Sequence, residues 1–209
     1  MKQSRLEQLA DGVFAIVMTL LVFEIRVPEI ESPVTDAALI AGLISLSPWV
    51  MSYVLSFALL FTYWRGHHFI TSVLARNVDH TLANINAIFL LFVALVPFTS
   101  YLLGRYSELY VAIFLYGVNV IVIGLLLYLM RGYVFASRTI DNADLNAQER
   151  RNGAIRILLP VASATGALIV GVFNAEAALI LFTVAILFNL SAVSTTLINR
   201  MFPIRAPRE

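Results

Sequence analysis

Arg5-Leu6-Glu7-Gln8-Leu9-Ala10-Asp11-Gly12-Val13-Phe14-Ala15-Ile16 opens the first long apolar stretch of the chain, which runs on to Val27. Asp11 stands close to where hydrocarbon would begin. The uncharged run from Gly12 to Phe23 is shorter than the ~20 residues a helix needs to cross a bilayer. A helix of this composition does not face lipid all round. A charge at membrane depth costs roughly 2.5–3.5 kcal/mol on insertion scales, so it faces protein or a water-filled path and marks a candidate functional group.

The rest of the chain agrees with a membrane class. Of 209 residues, 60% are hydrophobic and only 13% charged, more apolar than a soluble domain. A net charge of +1 offers no basis for nucleic-acid binding. With no cysteine, disulfides, thiolate metal sites and thiol catalysis are excluded together. A cleaved signal peptide is not expected, because Asp11 interrupts the apolar run and Glu24-Ile25-Arg26 stands where small residues would be needed.

Hydropathy predicts an all-α, polytopic membrane protein of six transmembrane helices, since only helices and closed barrels satisfy the backbone in lipid. The expected spans are Leu6–Val27, Leu39–Trp64, Leu82–Leu103, Leu109–Met130, Ile157–Phe173 and Ala177–Ile198. Pro97 is expected to kink or end the third. The one long connection, Arg131 to Arg156, reads as a solvated loop or interfacial helix. No repeat or linker divides the chain, so residues 1–209 form a single domain.

Orientation follows from the basic residues. Lys2, Arg5, Arg65, Arg76, Arg131, Arg138, Arg150, Arg151, Arg156, Arg200, Arg205 and Arg208 fall on one side, twelve of the fourteen lysines and arginines. Arg26 and Arg105 fall on the other, where Glu24, Glu29, Glu31 and Asp36 make the first loop acidic. Both termini are therefore expected in the cytoplasm, and the plasma membrane is the expected location.

On the first helix Ile16, Leu20 and Phe23 share one stripe, the seam that inward-facing positions make around an axis. Packing within the chain or against lipid is the plainer explanation for such a stripe. Asp11 lies about 140° from Ile16 on an ideal helix and is expected to turn toward its own subunit, whereas Val17 is expected to face lipid. Trp64-Arg65-Gly66-His67-His68 closes the second span on the same side, and His80, Asn84 and Asn86 begin the third. Indole, guanidinium and imidazole can all donate to a carboxylate, although aromatic rings and histidines also settle at the headgroup level without any such role.

Arg5-x-x-x-Leu9-Ala10-Asp11-Gly12-Val13-Phe14-Ala15-Ile16, Trp64-x-x-His67-His68 and Asn86-x-x-Phe89-Leu90-Leu91 leading to Pro97-Phe98 together resemble the prokaryotic branch of the transmembrane protein 175 family of endolysosomal potassium channels. The resemblance implies a six-helix subunit that assembles as a homotetramer, with the first helix of each subunit lining the pore and a bulky aliphatic residue at the constriction. It assigns Arg5 and Asp11 to the family's Arg-x-x-x-Phe-Ser-Asp signature, with Trp64, His68 and His80 as candidate anchor partners. It places the constriction at Ile16, with Leu20 and Phe23 as the next layers outward, and sets Thr19 at a position tied to potassium preference. Leu9 and Ala10 depart from the signature's Phe and Ser, which removes one hydroxyl from the anchor.

A pore ringed by apolar side chains can close by becoming too narrow and dry for water. Glu24 and the acidic first loop would concentrate cations at the outer mouth. The expected function is a potassium-permeable cation channel, with potassium passing through transiently and no fixed metal or cofactor. A proton-conducting channel or a proton-coupled secondary transporter is the alternative, because Asp11 and the histidines are suitable groups. A histidine-metal enzyme is disfavoured, since His67, His68 and His80 lack further ligands at workable spacing.

Overall fold

The computed structural model of the chain describes residues 3–32, 34–75, 77–137, 140 and 147–191, and of 147–150 the backbone alone. Lys2, Arg76, Arg138, Arg200, Arg205, Arg208, the side chain of Arg150 and the end expected for the sixth span at Ile198 lie outside the described residues.

The fold is all-helical among the described residues. It comprises α1 (Gln3–Leu20), prolonged by a 3-10 turn (Leu21–Glu24), α2 (Asp36–Ser45), α3 (Ser47–His68), continued by a π-helical turn (Phe69–Leu74), α4 (His80–Ala94), α5 (Val96–Arg105), α6 (Tyr110–Ala136), α7 (Ala147–Gly171) and α8 (Ala175–Leu190). Among the described residues, four stretches are long and apolar enough to cross a membrane: Gln3–Glu24, His80–Arg105, Tyr110–Ala136 and Arg151–Gly171. Asp36–Ser45 and Ser47–Leu74, bent by 45°, supply a fifth if they act as one span. Ala175–Leu190 is apolar but shorter. The chain is a multi-pass membrane protein.

Two prolines explain two breaks by the same chemistry. A helical residue donates its N–H four residues back, and proline has none to donate. Pro48 leaves the carbonyl of Ile44 without that donor, and the chain tightens so that Leu46 N bonds Leu43 O at 3.2 Å. Pro97 does the same one span later, where Leu95 N bonds Phe92 O at 3.2 Å. Helical hydrogen bonding resumes directly beyond each, from Val50 N to Leu46 O (3.0 Å) and from Thr99 N to Leu95 O (3.1 Å). The break at Pro97 was expected. The one at Pro48, which separates α2 from α3, divides a stretch expected to be continuous.

The boundaries differ elsewhere too. Trp64 does not close the second span: helix runs ten residues further, to Leu74, and Ala75 N completes the wider turn with Ile70 O at 3.0 Å. The connection from Arg131 to Arg156, expected as a solvated loop or interfacial helix, is mostly helix that continues the neighbouring spans, since α6 reaches Ala136 and α7 begins at Ala147.

Side-chain caps start three helices by satisfying amides that have no helical partner. Ala38 N donates to Thr35 Oγ1 (3.2 Å), Leu82 N to Asp79 Oδ1 (2.8 Å) and Ala177 N to Asn174 Oδ1 (2.9 Å). Tyr133, near the end of α6, donates its hydroxyl to the other oxygen of Asp79. The Tyr133 hydroxyl and the Leu82 amide hold the Asp79 carboxyl below its ordinary range. A carboxyl lowered on folding adds stability above its unfolded pKa and loses it as the pH falls through the folded value. Asp79→Ala is expected to cost about 1 kcal/mol at neutral pH. It should also leave a shallower acid limb below about pH 4, measurable as detergent-phase melting temperature against pH.

The core lies where α3, α4 and α6 meet, around Tyr63, Phe89 and Ile123, all under 2% exposed. Helices in lipid gain from close backbone approach, and Gly124 shows why a glycine is required between α6 and α7. A Cβ there would come 2.3 Å from Val161 Cγ2 and 2.9 Å from the Tyr63 hydroxyl, which itself donates to Val120 O at 2.8 Å. Gly124→Ala is expected to destabilise by about 1–3 kcal/mol. The same change at Gly132, with nothing within 4 Å, should be nearly silent in the same melting assay.

Candidate functional site

α1 divides into two faces. Leu6, Ala10, Phe14, Val17 and Leu21 are buried against the rest of the subunit. Leu9, Ile16, Leu20 and Phe23 lie exposed on the other side, Ile16 at 60% and Phe23 at 74%. Val17 therefore does not face lipid as expected. It is 4% exposed, because one residue of helix turns it about 100° from Ile16 and into the packed arc.

Phe14 is the principal contact of the buried face. Its ring lies 6.0 Å from Phe89 and 6.2 Å from His67, and His67 stacks on Phe89 at 5.3 Å with planes 9° apart. His67 Nε2 is 2.6 Å from Asn86 Oδ1. A carbonyl oxygen only accepts, so His67 Nε2–H is the donor of this hydrogen bond. Both residues are almost fully buried, which makes this pair a packing element beneath α1.

Asp11 sits at the border between the faces. Its Oδ1 accepts from Trp64 Nε1 at 2.8 Å. Trp64 is held in turn by an aromatic ladder along α3, with Phe61 at 5.7 Å on one side and His68 at 5.7 Å on the other. A second tie lies one turn earlier, which the sequence reading missed. Glu7 Oε1 accepts from Ser72 Oγ (3.0 Å) and from Gln3 Nε2 (3.2 Å), and Gln3 also donates to Thr71 O. Ser72 Oγ is 3.1 Å from His68 Nδ1. The two carboxylates of α1, spaced i and i+4, are thus both bound to α3 and its π-helical turn, with His68 between their partners. The i, i+4 spacing from Asp11 was the available signal, since such residues share a helix face.

Two expected members stand apart. His80 is exposed in the first turn of α4 and makes no hydrogen bond to Asp11, because Asp79 caps that helix and directs it away. Arg5 is exposed about 120° around α1 from Asp11, on the Ile16 side. The Thr19 hydroxyl lies 2.9 Å from Ala15 O and 2.8 Å from Ile16 O, so its proton is committed to its own helix. Glu24 is half-buried where the 3-10 turn ends, within electrostatic reach of Arg26. Among the described residues no cluster of histidine and carboxylate groups could hold a metal ion.

Comparison with known proteins bears on the same stretch. Residues 5–97 match the family model described as endosomal/lysosomal potassium channel TMEM175. The chain is 42% identical over 102 residues to a protein of Chamaesiphon minutus named as a potassium channel, covering 49% of each. It is 37% identical over 105 residues to a protein of Streptomyces collinus named likewise, covering 50% of this chain and 49% of the other. A mouse protein named endosomal/lysosomal proton channel TMEM175 is 25% identical over 150 residues, 72% of this chain and 30% of its own. The chain thus spans about half the length of the first two relatives. The crystal structure of a lysosomal potassium-selective channel TMEM175 homolog from Chamaesiphon minutus superimposes with a TM-score of 0.77 at 26% identity, covering 92% of this chain and 97% of that one. The first helix, the Trp64-to-His68 stretch and the Asn86-to-Pro97 stretch all lie inside the residues that match the TMEM175 family model, and the fold is shared over nearly the whole length with the Chamaesiphon minutus homolog.

Proposed function

We propose that the protein is a potassium-permeable cation channel rather than an enzyme, a homotetramer of six-span subunits with both termini in the cytoplasm of the plasma membrane. Four copies of α1 line its path, with Ile16, Leu20 and Phe23 as stacked apolar layers and Ile16 the constriction. The observation that carries this reading is the division of α1: one face is fastened through Phe14, Asp11 and Glu7, while the seam opposite is left uncovered by its own subunit. One subunit cannot enclose a lumen with a single such helix, and closed rotational assembly completes it. Thr19 presents its oxygen to the path just beyond the constriction, and Glu24 attracts cations at the mouth.

The test is flux from purified protein in liposomes under potassium, sodium and proton gradients, paired with crosslinking in native membranes. A four-step ladder and potassium flux are expected. A monomer in both mild detergent and lipid nanodiscs would overturn the channel reading. The mouse relative's name supports a second reading, proton conduction, in which Asp11, Glu7 and His68 supply titratable groups near the inner end of the seam. Flux that persists in a proton gradient and vanishes in a potassium gradient would select it.

A further inference from the structure

The end of α3 and the start of α7 place Arg65 and Arg156 at one end of the bundle. There α3 with its π-helical turn, α6, α7 and α8 surround a cavity of about 450 Å3. Leu127, Ile157 and Leu190 form its apolar walls, Arg65 and Arg156 contribute to its lining, and it shares Trp64 and His68 with the Asp11 anchor. The volume lies in the range of small-molecule sites. π-helical turns, whose wider bore disrupts regular packing, occur frequently at functional sites.

A mostly apolar cavity with two arginines in its lining suits an anion with an apolar tail. Guanidinium groups match phosphate oxygens in pairs, and basic pockets between transmembrane helices suit lipid headgroups. We propose that this cavity binds an anionic phospholipid, with its phosphate between Arg65 and Arg156 and its acyl chains along Leu127, Ile157 and Leu190, and that the bound lipid packs against Trp64. The inference needs the chain to be a membrane protein and does not depend on the pore.

The sequence holds two tryptophans, so Trp49→Phe leaves Trp64 as the sole fluorophore. The full-length variant is reconstituted in phosphatidylcholine vesicles containing a small fraction of brominated phosphatidylglycerol, or of brominated phosphatidylcholine as reference. Saturable quenching of Trp64 by the anionic probe is expected, with the neutral probe quenching only weakly. Arg65→Gln with Arg156→Gln should weaken the anionic quenching about thirtyfold. Arg105→Gln, at the opposite end, should leave it unchanged. If the double variant does not fold, Gly153→Leu keeps both charges while filling the space toward Phe69, whose Cε1 lies 3.6 Å from a Cβ at Gly153, and it should abolish the preference. Equal quenching by the two lipids would overturn the proposal. So would full competition by inorganic phosphate, which would mark a free-anion site.

Discussion

Ile16→Asn is expected to raise basal cation flux about tenfold, equivalent to lowering the barrier at the constriction by about 1.4 kcal/mol, and to weaken the preference for potassium over sodium. The physical cause is hydration. A ring of isoleucines excludes water when narrow, whereas carboxamides at the same radius hydrogen-bond it and keep the path wet. Ile16 is open to such a change because its own subunit covers so little of it, so the substitution leaves the fold of the subunit intact. Thr19→Ala should alter discrimination more than conductance: the threonine proton bonds the helix carbonyls, leaving the oxygen lone pairs for a passing cation. Leu129, an exposed apolar residue of α6, is the matched control, and Leu129→Asn should leave flux as it was. Val17 cannot serve, because it is packed inside the subunit. Should Ile16→Asn retain wild-type flux and selectivity in a protein shown to be tetrameric, α1 does not line the path.

Asp11→Ala should lower the folded yield or disturb gating while leaving ion preference as it was. Removing the carboxylate strands the Trp64 indole donor. Hydrogen bonds to charged groups contribute about 1.5–3 kcal/mol, and the partial exposure of Asp11 places this one near the lower end. Trp64→Phe keeps an aromatic ring in the ladder but removes the N–H. The two substitutions together should then cost little more than either alone, the sign of a direct pair. Glu7→Gln should couple to both more weakly than they couple to each other, since it reaches Trp64 only through Ser72 and His68. Normal assembly of Asp11→Ala with only its ion preference changed would place Asp11 in the path and remove it from the anchor.

The amino-acid order by itself determined the membrane class, the likeness to TMEM175 proteins over residues 5–97, the break at Pro97 and the separation of Asp11 from the Ile16 seam. These depend on local chemistry: the cost of placing a side chain in hydrocarbon, the missing proline N–H and the fixed rotation per helical residue. The donors for Asp11 were legible only as a set, and the tertiary structure selected Trp64 and set His80 apart. The tie of Glu7 to Ser72, the burial of Val17 and the need for glycine at 124 were decided by three-dimensional packing alone. In a membrane, lipid, pore and neighbouring helix all accept apolar side chains. Hydropathy therefore places a residue in the span, and only the contact of one helix with another settles which of the three it meets.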